Sequence, residues 1–235
     1  MAVTELEYDV DELPGLATRL GRRIASDLAA RGAVAWSIAI PGGSVATRLL
    51  PLLARESLPW RRCEVLFVDE RHVAADDAAS NWRTCRDATA DTPMTEARWH
   101  RLHGEIAIDD AATQYARTVR AIAGAPPVID VALLGVGEDG HVASLFPHRV
   151  HEPGRAVVVE RHAPKPPAMR VSLSFEVLTA ARLTCVVALG EGKREVVRVA
   201  RERSSPSPVA RVLRDAAAPW LLVDHAAAGL APSPG

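Results

Sequence analysis

The chain has almost no excess of charge of either sign: 28 Lys and Arg stand against 29 Asp and Glu, a formal net charge of −1. No global field therefore draws it to nucleic acid or to an anionic membrane surface, and an anionic ligand has to be held by a local site. Cysteine is scarce. Cys63, Cys85 and Cys185 are odd in number, scattered and without C-x-x-C spacing, which speaks against a disulfide framework or a structural zinc site and for a reducing compartment. No apolar run approaches the roughly 20 residues that a membrane span needs. The stretch Thr4-Glu5-Leu6-Glu7-Tyr8-Asp9 is acidic where a signal peptide is basic and then apolar. Internal repeats and blocks of like charge are also missing. The expectation is a soluble, cytoplasmic protein without a nucleic-acid or membrane partner.

What remains is ordinary globular material. The 235 residues are 48% hydrophobic and 24% charged, enough for one large α/β domain or two small ones. Leu16, Leu20, Ile24 and Leu28 recur every four residues between charged positions and predict an amphipathic helix ending near Gly32. Val34 to Ile40 reads as a buried strand that runs into Pro41-Gly42-Gly43-Ser44. The helical segment Val45 to Leu50 follows, with Ser44 placed to cap it and Pro51 expected to kink or stop it. Glu64 to Val68 predicts another strand, ending in Asp69-Glu70-Arg71-His72. A polar helix from Asn81 to Ala90 has Ser80 as its cap. A short strand is expected at Trp99 to Leu102, then a helix from Asp109 to Ala123 capped by Asp109 or Asp110. Further on, strands are expected at Ala156 to Glu160, Met169 to Leu173, Leu183 to Leu189 and Trp220 to Val223. Helices are expected at Phe175 to Ala181, from Gly190-Glu191-Gly192-Lys193 to Ala200, and at Val209 to Ala216. This recurrent β-turn-α alternation predicts a mainly parallel, Rossmann-like sheet flanked by helices on both faces. A single domain over residues 1–235 is expected, with 1–10 and 226–235 frayed.

The most informative stretch is Asp130-Val131-Ala132-Leu133-Leu134-Gly135-Val136-Gly137-Glu138-Asp139-Gly140-His141. An apolar run fit for a buried strand meets three glycines, and a histidine follows where a new helix could begin. Glycines let the backbone turn sharply and let a ligand approach. The turn would set His141 at the carboxyl edge of the sheet, where open α/β folds bind ligands. The spacing also satisfies G-x-G-x-x-G, but Pro147 limits any following helix to less than two turns, and Glu160 stands after a Pro- and Gly-containing loop. A dinucleotide site is therefore disfavoured. His148 and His151 are three apart without further ligands nearby, so no metal site is expected.

Several chemistry-bearing groups fall together at the carboxyl ends of expected strands. Gly42, Gly43 and Ser44 at a helix start offer backbone N–H groups to an anion. Arg71 would add a planar fork and Lys193 a mobile point charge. His141, with Asp139 beside it, suits a general base at neutral pH. No paired Ser or Cys nucleophile is evident, which favours activation of water. On the residues alone, the reading is a hydrolase or isomerase of a small phosphorylated substrate.

Four segments, in order across nearly the whole chain, resemble the 6-phosphogluconolactonase family. They are Ile40-Pro41-Gly42-Gly43-Ser44; Val68-Asp69-Glu70-Arg71-His72-Val73 with Ser80-Asn81-Trp82; Leu134 through Pro147; and Gly190-Glu191-Gly192-Lys193. Related glucosamine-6-phosphate deaminases share the Asp-Gly-His but continue with Phe-Asn-Glu-Pro, where this chain has Ser144-Leu145-Phe146-Pro147. They also carry Asp-Glu-Tyr where this chain has Asp69-Glu70-Arg71. The family's Ser-Thr-Pro after Gly-Gly reads Ser44-Val45-Ala46 here, which removes one hydroxyl from the anion site. The resemblance implies hydrolysis of 6-phosphoglucono-δ-lactone to 6-phosphogluconate in the oxidative pentose phosphate pathway, with a small phosphorylated sugar lactone as partner and neither metal nor organic cofactor. It implies that His141 deprotonates water and that Asp139 or Asp69 orients it. Arg71, Lys193 and the amides of Gly42, Gly43 and Ser44 would hold the phosphate. Arg170 is a further substrate-contact candidate, set against a surface salt bridge. An amino-sugar-phosphate deaminase or isomerase, a non-catalytic sugar-phosphate sensor and a dinucleotide-dependent enzyme remain as alternatives.

Overall fold

The computed structural model describes residues 7–150, 152–202 and 204–230. Among the described residues there are ten strands: β1 (Glu7–Asp11), β2 (Trp36–Ile40), β3 (Cys63–Phe67), β4 (Asp69–Arg71), β5 (Arg98–Trp99), β6 (Val131–Gly135), β7 (Val157–Glu160), β8 (Arg170–Leu173), β9 (Leu183–Ala188) and β10 (Pro219–Asp224). The same residues form eight α-helices: α1 (Leu13–Ala30), α2 (Leu50–Leu53), α3 (Asn81–Thr89), α4 (Ile108–Ala123), α5 (Phe175–Ala180), α6 (Arg194–Arg201), α7 (Pro208–Asp215) and α8 (His225–Ala228).

Seven strands make one sheet in the order β1-β10-β9-β6-β2-β3-β5, every neighbouring pair parallel. Helices flank both faces. Strands covered on both sides have no polar face to show, which is why β2, β9 and β10 are buried along their whole length. Truncating a wholly buried residue such as Leu222 to alanine removes about 2–5 kcal/mol of stability. In α1 the predicted stripe of Leu16, Leu20, Ile24 and Leu28 is the buried one, and Gly32, at φ +59°, turns the chain out of the helix.

The strand order reverses between β2 and β6, because β3 and β5 lie to one side and β9, β10 and β1 to the other. Ligands in open α/β sheets bind in the crevice at such a point, outside the carboxyl ends of the strands. Here the crevice has a visible cause. β2 and β6 share only two register pairs, Ile38 with Val131 and Ala39 with Ala132, whereas β6 and β9 share five. At the other end the pair is tied by Asp130, whose carboxylate accepts from the Ser37 amide at 2.8 Å while its own amide donates to Ser37 Oγ at 3.1 Å. The strands are held at one end and part at the other.

Several local expectations are corrected. Asp69-Glu70-Arg71, read as the end of the strand before it, forms a strand of its own, β4, part of a second, antiparallel sheet in the order β4-β8-β7 that the pattern did not foresee. Ser44 does not cap the helix after it. The helical run starts at Gly43 and passes through a π-turn over Val45–Leu49, where the Leu50 amide reaches back to the Val45 carbonyl. The wider turn makes room ahead of Pro51, which has no N–H and would crowd the carbonyl four residues back in a regular α-helix. Neither Asp109 nor Asp110 caps α4, whose N-cap is Ala107; both aspartates lie in its first turn, where they still oppose the helix dipole. No helix starts at His141: the chain folds back on itself through bridges of Val142 with Val136 and Leu145. Of the residues expected to fray, 7–10 belong to the edge strand β1 and 226–228 to α8; residues 1–6 and 231–235, and His151, lie outside the described residues. Among the described residues no helix is long and apolar enough to cross a membrane.

Candidate active site

A cavity of about 640 Å³ opens over the carboxyl ends of β2 and β6. It is lined by Gly42, Gly43, Ser44, Asp69, Arg71, Asp139, His141, Arg170 and Lys193, the nine residues that the sequence singled out. Asn81, Phe146 and Lys165 line it as well.

The histidine is gripped by its own loop. Asp139 Oδ1 accepts from the His141 amide at 3.2 Å and lies 2.5 Å from His141 Nδ1. A carboxylate can only accept, so Nδ1 carries the hydrogen and Nε2 is left with its lone pair. Burial pulls the Asp139 carboxyl upward, but the hydrogen bonds and charge of His141 outweigh it, and the group sits below its ordinary value. The Phe146 ring backs the imidazole with centroids 4.7 Å apart. Gly137 is required here for space. A Cβ at that position would stand 2.1 Å from His141 Nδ1 and 2.6 Å from Asp139 Oδ1, so any larger residue would push the pair apart.

Among the described residues Asp69 makes no hydrogen bond to His141: its carboxylate accepts from Ser144 Oγ at 2.5 Å and from Asn81 Nδ2 at 3.3 Å, and Asp139 is the carboxylate bonded to the histidine. Behind Asp69, the buried Glu70 accepts from the amides of Arg71, Asn81 and Trp82, each at 2.7 Å, and from Ser80 Oγ at 3.1 Å. Desolvation nevertheless raises its pKa above the ordinary value, outweighing those amides. The expected Ser80 cap is present, accepting from the Arg83 amide. Glu70 and Ser80 together fix the start of α3, and so place Asn81 against Gly42. A Cβ on Gly42 would meet Asn81 Oδ1 at 1.8 Å; only glycine lets that loop close down here.

Arg71 and Arg170 are direct register partners on β4 and β8. Arg71 Nη1 donates to the Ala79 carbonyl at 2.7 Å, while its buried Nε has no partner among the described residues. Among the described residues Arg170 forms no surface salt bridge. It is 6% exposed, packs 5.6 Å over Phe146, and donates to the carbonyls of Pro167 and Lys165 at 3.0 and 2.8 Å. Desolvation lowers its pKa. Lys193 ends a 3₁₀ turn, Glu191–Lys193, whose N-cap Gly190 donates its amide to the Asp224 carboxylate at 2.9 and 3.0 Å; Asp224 also faces Arg48 at 3.4 Å. The lysine is thereby tied to the end of β10 and so to the sheet. Among the described residues no group of three or more His, Cys, Asp or Glu could hold a metal ion.

The sequence profile of the family described as glucosamine-6-phosphate isomerases/6-phosphogluconolactonase matches residues 11–220. The chain belongs to that family. It is 34% identical to a 6-phosphogluconolactonase of Streptomyces coelicolor, covering 92% of this chain and 89% of the relative. It is 36% identical to the enzyme of that name from Rattus norvegicus, over 83% and 80%. Among solved structures, the 6-phosphogluconolactonase of Shewanella baltica superposes with a TM-score of 0.81 at 26% identity, covering 94% of this chain and 99% of that one. That from Trypanosoma brucei gives 0.80 at 26%, over 96% and 98%. A monomeric glucosamine-6-phosphate deaminase at 18% identity shares the fold, with a TM-score of 0.75.

Sequence reasoning gave no role to four residues of this site. Phe146 and Ser144 lie within the most family-specific segment, and they turn out to back His141 and to bond Asp69. Asn81 belongs to a quoted segment whose role was left open. Lys165 sits in the proline-rich segment between the expected strands Ala156 to Glu160 and Met169 to Leu173, which was given no functional reading.

Proposed function

We propose that the chain is a 6-phosphogluconolactonase: it hydrolyses 6-phosphoglucono-δ-lactone to 6-phosphogluconate in the oxidative pentose phosphate pathway. The observation that carries this is the Asp139–His141 pair on the wall of a cavity that also presents four cationic side chains. His141 Nε2 takes a proton from water as the oxygen attacks the lactone carbonyl. The tetrahedral intermediate then collapses with cleavage of the ring C–O bond. The imidazolium returns its proton to the leaving ring oxygen, so that one water is consumed and one acid and one hydroxyl appear. Asp139 holds the ring and balances the transient positive charge, as the aspartate of a hydrolase triad does.

The phosphate is assigned to the amides of Gly42, Gly43 and Ser44 with Arg71 and Lys193. Replacing Arg71 or Lys193 by alanine removes a charge-assisted hydrogen bond of about 1.5–3 kcal/mol, expected to raise KM about ten- to a hundredfold with a smaller change in kcat. Arg71→Lys is not expected to restore it fully, because the planar fork is lost. An unchanged KM in both alanine variants would remove these residues from the phosphate site.

The segment Ser144-Leu145-Phe146-Pro147, which differs from the Phe-Asn-Glu-Pro of the deaminases and packs on the proposed base through Phe146, favours lactonase over deaminase. Offering the protein freshly generated lactone and glucosamine 6-phosphate side by side tests this. Lactone consumption without ammonia release is expected; ammonia release would overturn the assignment. Three buried cysteines suit a reducing compartment, and the cytoplasm is the proposed location.

A further inference from the structure

The 28 basic residues of the chain include only two lysines, Lys165 and Lys193, and both line the same cavity. Lys193 is already assigned to the phosphate. Lys165 stands on the exposed strap Ala163-Pro164-Lys165-Pro166-Pro167, of which Pro164 and Pro166 also line the cavity. Three prolines in five residues leave this backbone few conformations. The strap is closed by the Ala163 amide donating to the Ala168 carbonyl at 3.0 Å. It is fastened to the cavity wall by Arg170, whose guanidinium donates to the carbonyls on either side of Pro166, at Lys165 and Pro167. Arg170 is buried and makes no salt bridge among the described residues, Asp69 and Glu160 acting on it through their charge alone. Two of its donors thus hold main chain, a fixed task suited to a planar fork. Lys165 is the opposite case: its backbone is held, and no protein group among the described residues engages its ammonium. A compact charge on a flexible four-carbon stem, carried on a fixed strap at the cavity, can follow a ligand that enters.

We propose that Lys165 is a substrate-binding residue that contacts the phosphate of the phosphorylated lactone from the strap side, with Arg170 as the positioning residue that fastens the strap. This rests on the lactonase reading for the identity of the substrate, but not for the presence of an anion contact.

Two readouts separate those claims. The first needs no turnover. The folded protein is treated with limiting acetic anhydride, with and without inorganic phosphate, and acetylation of each lysine is read by mass spectrometry. Phosphate is expected to slow acetylation of both Lys165 and Lys193; protection of Lys193 alone, or of neither, would overturn the proposal. This holds whether or not the protein hydrolyses lactone. The second is kinetic. Lys165→Ala is expected to raise KM for the phosphorylated lactone about tenfold with kcat within twofold. Turnover of the unphosphorylated glucono-δ-lactone should be unaffected, and Lys165→Arg should recover most of the KM. A KM within twofold of the parent, or an equal loss on both lactones, would show that Lys165 does not contact the phosphate.

Discussion

His141→Asn is expected to lower kcat on 6-phosphoglucono-δ-lactone by about 10²–10⁴-fold, the usual worth of a positioned general base, while KM changes little. The variant should fold, because the loop is held by its main chain rather than by the ring. The Gly137 amide donates to the His141 carbonyl at 2.9 Å, the Gly140 amide to Gly137 at 3.0 Å, and the Val209 amide to Gly140 at 3.0 Å. Asparagine keeps a polar side chain but has no basic nitrogen to accept the proton. Initial rates with spontaneous opening subtracted check this. A folded variant that turns over lactone within a few-fold of the parent would make His141 structural.

Asp139→Asn is expected to act on the same scale. The amide can still occupy the position, but it no longer fixes which imidazole nitrogen carries the hydrogen or stabilises the imidazolium. In an Asp–His pair of this kind the loss reaches about 10⁴-fold. Stability gives a second readout whose sign follows from the lowered carboxyl. A group with a depressed native pKa stabilises the fold above its unfolded value and loses that contribution as pH falls through the native value. Asp139→Asn should therefore melt below the parent at neutral pH, with the difference shrinking in strong acid. The effect is small, since the carboxyl is nearly half exposed and screened by water. A variant with parental kcat would break the link between this carboxylate and His141.

The inner strands of the large sheet were legible because they are buried almost throughout and read as apolar runs, whereas the acidic edge strand β1 was not. Once a parallel sheet is inferred, its carboxyl ends must lie on one edge, and so Gly42, Arg71, His141 and Lys193 could be gathered from positions 150 residues apart in sequence. The small sheet was not legible. β4 is three charged residues, and its pairing with β8 joins Asp69 to Ser172, a contact that no local pattern encodes. The same distance hid the Ser144–Asp69 bond and left the partner of His141 undecided. Ser80 read correctly as a cap because nothing disturbs the helix after it, whereas Ser44 failed because Pro51 imposes a π-turn downstream. At His141 the glycines signalled a bend but not its direction. Gly140 at φ +83° and Ala143 at φ +50° turn the chain back instead of into a helix.

The most direct test of the mechanism is the pH dependence of kcat/KM on freshly generated lactone, with spontaneous opening subtracted at each pH. Only neutral imidazole can accept a proton, and Asp139 remains ionised below the ordinary carboxylate range. The enzymatic rate should therefore exceed the background clearly at neutral pH. It should fall on the acid side as a single proton is taken up, tenfold for each further pH unit, and that limb should vanish in His141→Asn. A rate no faster than the background at any pH, or one that stays level through the acid range, would contradict water activation by His141.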